Sequence, residues 1–479
     1  MNRSAFAPLA ASLLFGAPAF AQSSDRAPVP PPPIVAPSPA DPLPHLNAGY
    51  GQDSFYLRSD DDNFILIPSG RFQFDFLGYQ GAGLPKSGTG VGQAYDTFFP
   101  RRARLETFGT LYKHFDFQLG AEFTGGTAPV TSDIFVNVNY THLANVQLGQ
   151  FDAPFTMENR TSDKYTDLQE RTTSVRGFAI PETKHVGGMV WGQPAGKWAY
   201  WSLGLFNGEG QNQFKHTSNH FDGMGRAWIA PFGIAPIALL KDVWVGGSFH
   251  SGDRAWSAAN QLDRAAFSDQ ARFTFFNTAY TGPTGSTAGA TAPAANNLHV
   301  GDDGALLKYA LELNAPVGPF VLKGEYIHLH EGTRELDLQA KSATYVPAAP
   351  KSGALNGAAY YVRLSWFAFG DPLINGLAGT QNPPHLFGAL KPNKTGDALQ
   401  FVVQWEHMGW NYAATETVAS DKLAGDGGLS ILTVGANYWA TKRVRLTYNF
   451  LYNMPTGTAL HPLAEPNSFQ MTGRIALAL

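Results

Sequence analysis

The chain has 479 residues, of which 15% are charged and 13% aromatic, with 51 Gly and 18 Tyr, a balance that favours many short strands and turns over helices rich in Ala, Glu and Lys. A net charge of −4 excludes a broadly basic nucleic-acid binder. The lack of cysteine excludes disulfide staples and thiolate metal sites.

Met1 to Ala21 reads as a secretory signal peptide, with one early charge at Arg3, an apolar stretch from Ala5 to Phe15, and a small-x-small ending at Ala19-Phe20-Ala21. Ala27 to Pro44 (APVPPPPIVAPSPADPLP) favours extended polyproline II and cannot join a sheet interior. Residues 22–63 therefore read as a Pro-rich periplasmic linker, either a plain spacer or a contact to the cell wall. No run elsewhere reaches the roughly 18 apolar residues of a transmembrane helix, so any crossing is made by strands.

From Phe64 onward, apolar and polar residues alternate in segments near the 9 to 11 residues that a tilted membrane strand requires. Gly70-Phe72-Phe74-Phe76 lie opposite Arg71-Gln73-Asp75. In the hairpin 98–123, Ala103, Leu105, Phe115, Phe117, Leu119 and Phe123 share one parity, and Arg102, Arg104, Glu106, Asp116, Gln118 and Glu122 the other. One such hairpin fits a soluble sheet as well as a barrel; repetition to the end of the chain favours the barrel. Strands are expected near 64–77, 98–112, 115–124, 132–141, 145–151, 185–192, 197–206, 221–231, 242–250, 304–314, 319–329, 356–368, 398–409, 428–439, 443–453 and 468–479. The fold class is thus an all-β transmembrane antiparallel barrel of about 16 strands over 64–479, with an N-terminal Pro-rich extension.

Short turns at Lys113-His114, Thr141 to Asn145, Pro194 to Lys197, Ala315 to Pro319 and Ala440 to Lys442 interleave with longer polar loops, as in barrels with short periplasmic turns. The long connection Gly370 to Asp397 falls on the short-turn side and does not fit that rule. Trp198, Tyr200, Trp201, Tyr360, Trp366, Trp405, Tyr438, Tyr448 and Tyr452 are expected to mark the lipid interfaces.

The residue constellations of common enzymes are missing: no Walker A loop, no His-Glu-x-x-His pair, no Gly-x-Ser-x-Gly elbow. The chain reads as a non-enzyme without cofactor or metal, and His328, His330 and Glu331 read as residues ending a strand and entering a solvated loop. What remains is the charged interior: Arg71, Arg101, Arg102, Arg104, Lys308, Lys323, Arg363, Arg443, Arg445 and Arg474, among carboxylates such as Asp75, Glu106, Asp116, Glu122, Glu312, Glu325 and Glu406. Rings of Arg and Lys in a lumen favour anions, and guanidinium groups bind oxyanions through paired donors. Alternatively, the arginines pair with these carboxylates and line a weakly selective pore, or the barrel conducts nothing and serves as a surface adhesin or cell-wall tether. The charged loop Asp152 to Lys184 either lies outside in solvent or folds inward, bringing Arg160, Lys164, Arg171 and Arg176 near permeating solutes.

At these residues the chain resembles the phosphate-selective porin O and P family. The resemblance rests on Ser69-Gly70-Arg71-Phe72-Gln73-Phe74-Asp75, Phe99-Pro100-Arg101-Arg102-Ala103-Arg104-Leu105, Leu148-Gly149-Gln150-Phe151 with Pro154-Phe155, and Leu205-Phe206-Asn207-Gly208. It implies an outer-membrane porin of a Gram-negative bacterium: a homotrimer of 16-stranded barrels in lipid, each with its own channel, whose third long loop folds inward. It also implies passive diffusion of small anions such as phosphate, with constriction residues at Arg71, Arg101, Arg102 and, by the loop hydroxyl, Ser162. Arg104, Arg160 and Lys164 complete the expected anion-binding set. The chain departs from the pattern at Asn159 and Asp116, where phosphate-binding members carry Lys, and at Leu479, where such barrels end in Phe; Asp133 corresponds to an acidic site residue. The two missing lysines weigh against high phosphate selectivity.

Overall fold

The computed structural model describes residues 46–51, 54–81, 96–124, 128–179, 183–208, 210–215, 220–234, 237–254, 266–268, 274–277, 298–337, 351–372, 397–413, 425–441, 443–457 and 467–478. The expected signal peptide, the Pro-rich run and Leu479 lie outside them. The strands are β1 (Leu46–Gly51), β2 (Ser54–Ser59), β3 (Phe64–Gly81), β4 (Thr97–Leu111), β5 (Phe115–Glu122), β6 (Val130–Val138), β7 (Asn145–Asp152), β8 (Lys184–Gly192), β9 (Ala199–Phe206) and β10 (His220–Ile229). They continue with β11 (Trp244–Arg254), β12 (Ala266–Ser268), β13 (Thr274–Asn277), β14 (Leu298–Val317), β15 (Phe320–Asp337), β16 (Lys351–Phe369), β17 (Ala398–Ala413), β18 (Gly425–Thr441), β19 (Val444–Gly457) and β20 (Ser468–Ala478).

Each neighbouring pair runs antiparallel, and β20 returns to β3 from Ser468↔Gly81 to Ala478↔Arg71, closing sixteen strands into a barrel. Closure pairs the first barrel strand with the last, so that the wall does not present an open edge strand to lipid. The first short turn spans Tyr112, Lys113 and His114 between the paired Leu111 and Phe115: Tyr112 and Lys113 both take positive φ (50° and 64°), and the His114 N–H donates to the Leu111 carbonyl at 3.2 Å. That mirror-image turn matches the twist of the strands it joins.

The wall is inside-out relative to a soluble protein. Along β17, Phe401, Val403 and Trp405 are exposed while Gln400, Gln404 and Glu406 are almost fully buried. The same parity holds on β3, with Phe72 and Phe74 exposed and Arg71, Gln73 and Asp75 buried. An apolar outer surface with a polar interior is the membrane-barrel arrangement.

Three expectations need correction. The linker does not extend to residue 63: β1 and β2 form a hairpin, and β2 pairs with β3 at Leu57↔Leu66 and Arg58↔Ile65, covering the part of the β3 edge that β20 does not reach. His328, His330 and Glu331 lie inside β15, not beyond it, with His328 stacked on Tyr309 (4.8 Å) and His330 hydrogen-bonded to Asn356 (2.6 Å). Pairing of β14, β15 and β16 continues past the apolar band, where side chains no longer need to alternate, so periodicity ends before the strand does. Tyr200 is not at the lipid surface: it is buried on the inner side of β9, between Trp191 (6.3 Å) and Trp228 (6.2 Å). Trp201 holds the outward position next to it, and two successive strand residues cannot share a face. Trp366, Trp405, Tyr438 and Tyr448 are exposed as expected. The connection between β16 and β17 does fall on the side of the short turns, and residues 373–396 lie outside the described set.

Candidate functional site

The segment between β7 and β8 folds into the barrel. From Ala153 to Ala179 nearly every residue is buried, and the segment ends in a single π-helical turn, Val175–Ala179. It is tied to the far wall at many points. The Asp167 carboxylate accepts from Lys323 (2.6 Å), Arg363 (3.1 Å) and Gln400 (3.0 Å), and its carbonyl accepts from Asn437 (2.6 Å). Glu158 pairs with Arg363 (2.6 Å), the Ser174 N–H donates to Glu406 (3.1 Å), and Lys308 donates to the Ala179 carbonyl (3.0 Å). Burial would raise the Asp167 carboxyl, but Lys323 and Arg363 outweigh it and hold that group below the usual carboxylate range. Phe178 is fully buried against Gly357 of β16, where a β-carbon would collide with its ring. These ties make the segment a fixed part of the lumen.

Against this loop stands an arginine wall on β3 and β4. Arg71 and Arg102 face inward by simple alternation, but Arg101 by the same count would face lipid with Ala103. A β-bulge corrects it: Gln73 pairs with Arg102 and Phe74 with Pro100, so Arg101 is the extra residue and turns inward beside Arg102. A second bulge on β6 sets Ser132 and Asp133 opposite Gly120 alone, turning Asp133 toward Lys184 (2.8 Å).

Six of the seven expected anion-site residues meet here. Arg71 donates to Glu106 (2.5 Å) and Ser162 (3.5 Å) and pairs with Asp163. Arg102 pairs with Asp163 (2.6 Å) and donates to Gln73 (2.8 Å) and Glu170 (3.3 Å). Arg101 donates to Glu170 (2.9 Å), Arg104 to Glu122 (3.1 Å), and Lys164 lies 3.1 Å from Glu106. Arg160 does not join them; its guanidinium donates to the Asp152 carbonyl. Asn159 donates to the Ala153 carbonyl (3.2 Å), and Asp116 is held at the first short turn by Thr110 (2.9 Å), so neither position stands in the cluster.

Sequence reasoning missed the loop carboxylates Asp163 and Glu170. Their signal was present: acidic residues in a loop that folds against a cationic wall need to be buried in pairs with it. Burial would raise the Glu170 carboxyl, but Arg101, Arg102 and Arg474 hold it well below the usual range. Burial pushes the Lys164 ammonium down, against the pull of Glu106, to about 8. The charged groups around the loop that keep some water contact include Arg101, Arg104, Lys164, Arg176 and Lys323, against Glu122, Asp152 and Asp163. Toward the short-turn end, Arg445 donates to the Thr166 carbonyl (2.6 Å) and lies over the Trp439 ring (5.8 Å), with no carboxylate partner among the described residues.

A closed barrel with an apolar exterior, a charged interior and a long loop fixed across its lumen defines a porin. Residues 69–472 match the sequence profile of the phosphate-selective porin O and P family, and the chain belongs to that family, placing it in the outer membrane of a Gram-negative bacterium. It is similar to porin O of Pseudomonas aeruginosa, at 23% identity over 82% of this chain and 83% of that protein. Among solved structures it is similar in fold to the outer-membrane channel DcaP of Acinetobacter baumannii (TM-score 0.51, 8% identity, covering 88% of this chain and 99% of that one). A second similar structure is the anion-selective porin from Comamonas acidovorans (TM-score 0.47, 11% identity, 87% and 100% covered).

Proposed function

We propose that the chain is a passive-diffusion channel for small hydrophilic solutes that prefers anions, phosphate among them, and that it performs no chemical step. The observation carrying this reading is the sign of the charge that keeps water contact around the loop, where Arg101, Arg104, Lys164, Arg176 and Lys323 outnumber Glu122, Asp152 and Asp163. Cationic groups lower the free energy of an anion in the narrow section, and binding stays weak enough for exit. Arg71, Arg102 and Ser162 support the wall behind them. The arrangement as a homotrimer, and residues 22–45 as a periplasmic spacer or cell-wall contact behind a cleaved signal peptide, belong to the same proposal.

A second reading, a weakly selective pore, is favoured by the dense pairing of Arg71, Arg102 and Arg104 with Glu106, Asp163 and Glu122. Planar-bilayer conductance separates the two. An anion-directed reversal potential in a salt gradient, with phosphate blocking chloride current, is the expected result. Cation preference without block would overturn the anion reading.

A further inference from the structure

Glu170 stands at the centre of three converging guanidinium groups. Its Oε1 accepts from Arg101 Nε (2.9 Å), Arg102 Nη1 (3.3 Å) and Arg474 Nη2 (2.5 Å), and its Oε2 accepts from Arg101 Nη2 (3.3 Å). Donors arriving from three side chains on β4 and β20 make a cradle for an oxyanion, because a carboxylate needs at most two forks while a tetrahedral oxyanion uses more. Arg474 is already held from the wall by both oxygens of Asp75 (2.7 and 2.8 Å), so Glu170 is not needed to neutralise it. The loop itself has independent anchors at Asp167 and Ser174. Glu170 is thus a carboxylate on the loop, placed in a cationic cradle built by the wall.

We propose that Glu170 is a tethered internal anion that occupies an oxyanion-binding cradle formed by Arg101, Arg102 and Arg474, and that permeating oxyanions of the phosphate class compete with it for those guanidinium groups. This rests on the reading of the chain as an anion-preferring porin. A tethered competitor acts at an effective concentration on the order of millimolar or above. It therefore weakens the apparent affinity for free oxyanion without removing the cationic wall, which keeps dwell times short and conduction fast.

The test is single-channel recording in planar bilayers with inorganic phosphate as blocker of chloride current, comparing wild type, Glu170→Asp, Glu170→Gln, and Glu170→Gln combined with Arg101→Ala. Relief from one charge-assisted competitor worth about 1.4 kcal/mol lowers the half-blocking phosphate concentration about tenfold in Glu170→Gln. Anion preference in chloride rises as well, because one negative charge leaves the wall; Glu170→Asp stays near wild type, and adding Arg101→Ala reverses the gain. An unchanged half-blocking concentration in Glu170→Gln would overturn the inference. So would larger conductance with weaker block, since Glu170 would then be only a latch for the loop. Absence of block in wild type with block in Glu170→Gln overturns the anion reading of the wild-type channel but supports the cradle; absence in both overturns both.

Discussion

Arg102→Ala is the substitution with the most closely defined outcome. The guanidinium reaches Asp163 (2.6 Å), Gln73 (2.8 Å) and Glu170 (3.3 Å), and its removal leaves Asp163 with Arg71 and Glu170 with Arg101 and Arg474. No carboxylate loses its last partner, but one positive charge leaves the wall. For a permeant about 7 Å away, that charge is worth about 0.6 kcal/mol in a water-like medium and about 2.4 kcal/mol at an effective dielectric of 20. A value of about 1 kcal/mol for this partly wetted site corresponds to about a fivefold fall in anion occupancy. Reversal potentials in a potassium chloride gradient measure it directly, with Arg102→Lys as the variant that retains the charge but not the fork. Assembly is expected to be unaffected, because β4 is held to its neighbours by backbone pairing. An unchanged chloride-to-potassium permeability ratio would show that Arg102 does not act on the permeant.

Three further outcomes follow from other parts of the structure. Lys164 is charged below about 8 and neutral above it; raising the pH from about 6.5 to about 9.5 should therefore reduce anion preference, and Lys164→Ala should abolish that dependence. A pH dependence that survives in Lys164→Ala would assign the titration to another group. Gly357→Val places bulk against the Phe178 ring, an overpacking that costs about 1–3 kcal/mol; it should loosen the loop and raise both conductance and current noise, and an unaltered conductance would show that the Phe178–Gly357 contact does not hold the loop in place. Val403 is half exposed on the outer face of β17, and Val403→Arg should cost about 2–4 kcal/mol in urea unfolding from lipid vesicles if it lies near the bilayer midplane. A cost near zero would put that face away from lipid.

The alternation of Arg71, Gln73 and Asp75 with Phe72, Phe74 and Phe76 is a local property, since strand geometry alone sends successive side chains to opposite faces. Its repetition made the strand number and the polar interior legible from residues alone; the family was legible through the resemblance of short motifs such as Phe99 to Leu105. Arg101 was legible only through its motif, because its inward turn depends on a bulge, and a bulge is a register choice made between two strands. The inward fold of the loop was one of two open alternatives. Nothing local distinguishes a solvated charged loop from one whose Asp167 and Glu170 meet Arg363 and Arg474, 196 and 304 positions away.

The sequence by itself therefore determined the barrel, its two-faced wall and the cationic residues of the inward parity such as Arg71 and Arg102, because these follow from period and composition. Only the tertiary structure decided which carboxylates those cations meet. Closure of β20 on β3 brings Arg474 beside Arg101 and Arg102, and the loop carries Glu170 between them. The balance of charge in a lumen is a sum over distances, and distance across a barrel is set by closure rather than by position along the chain.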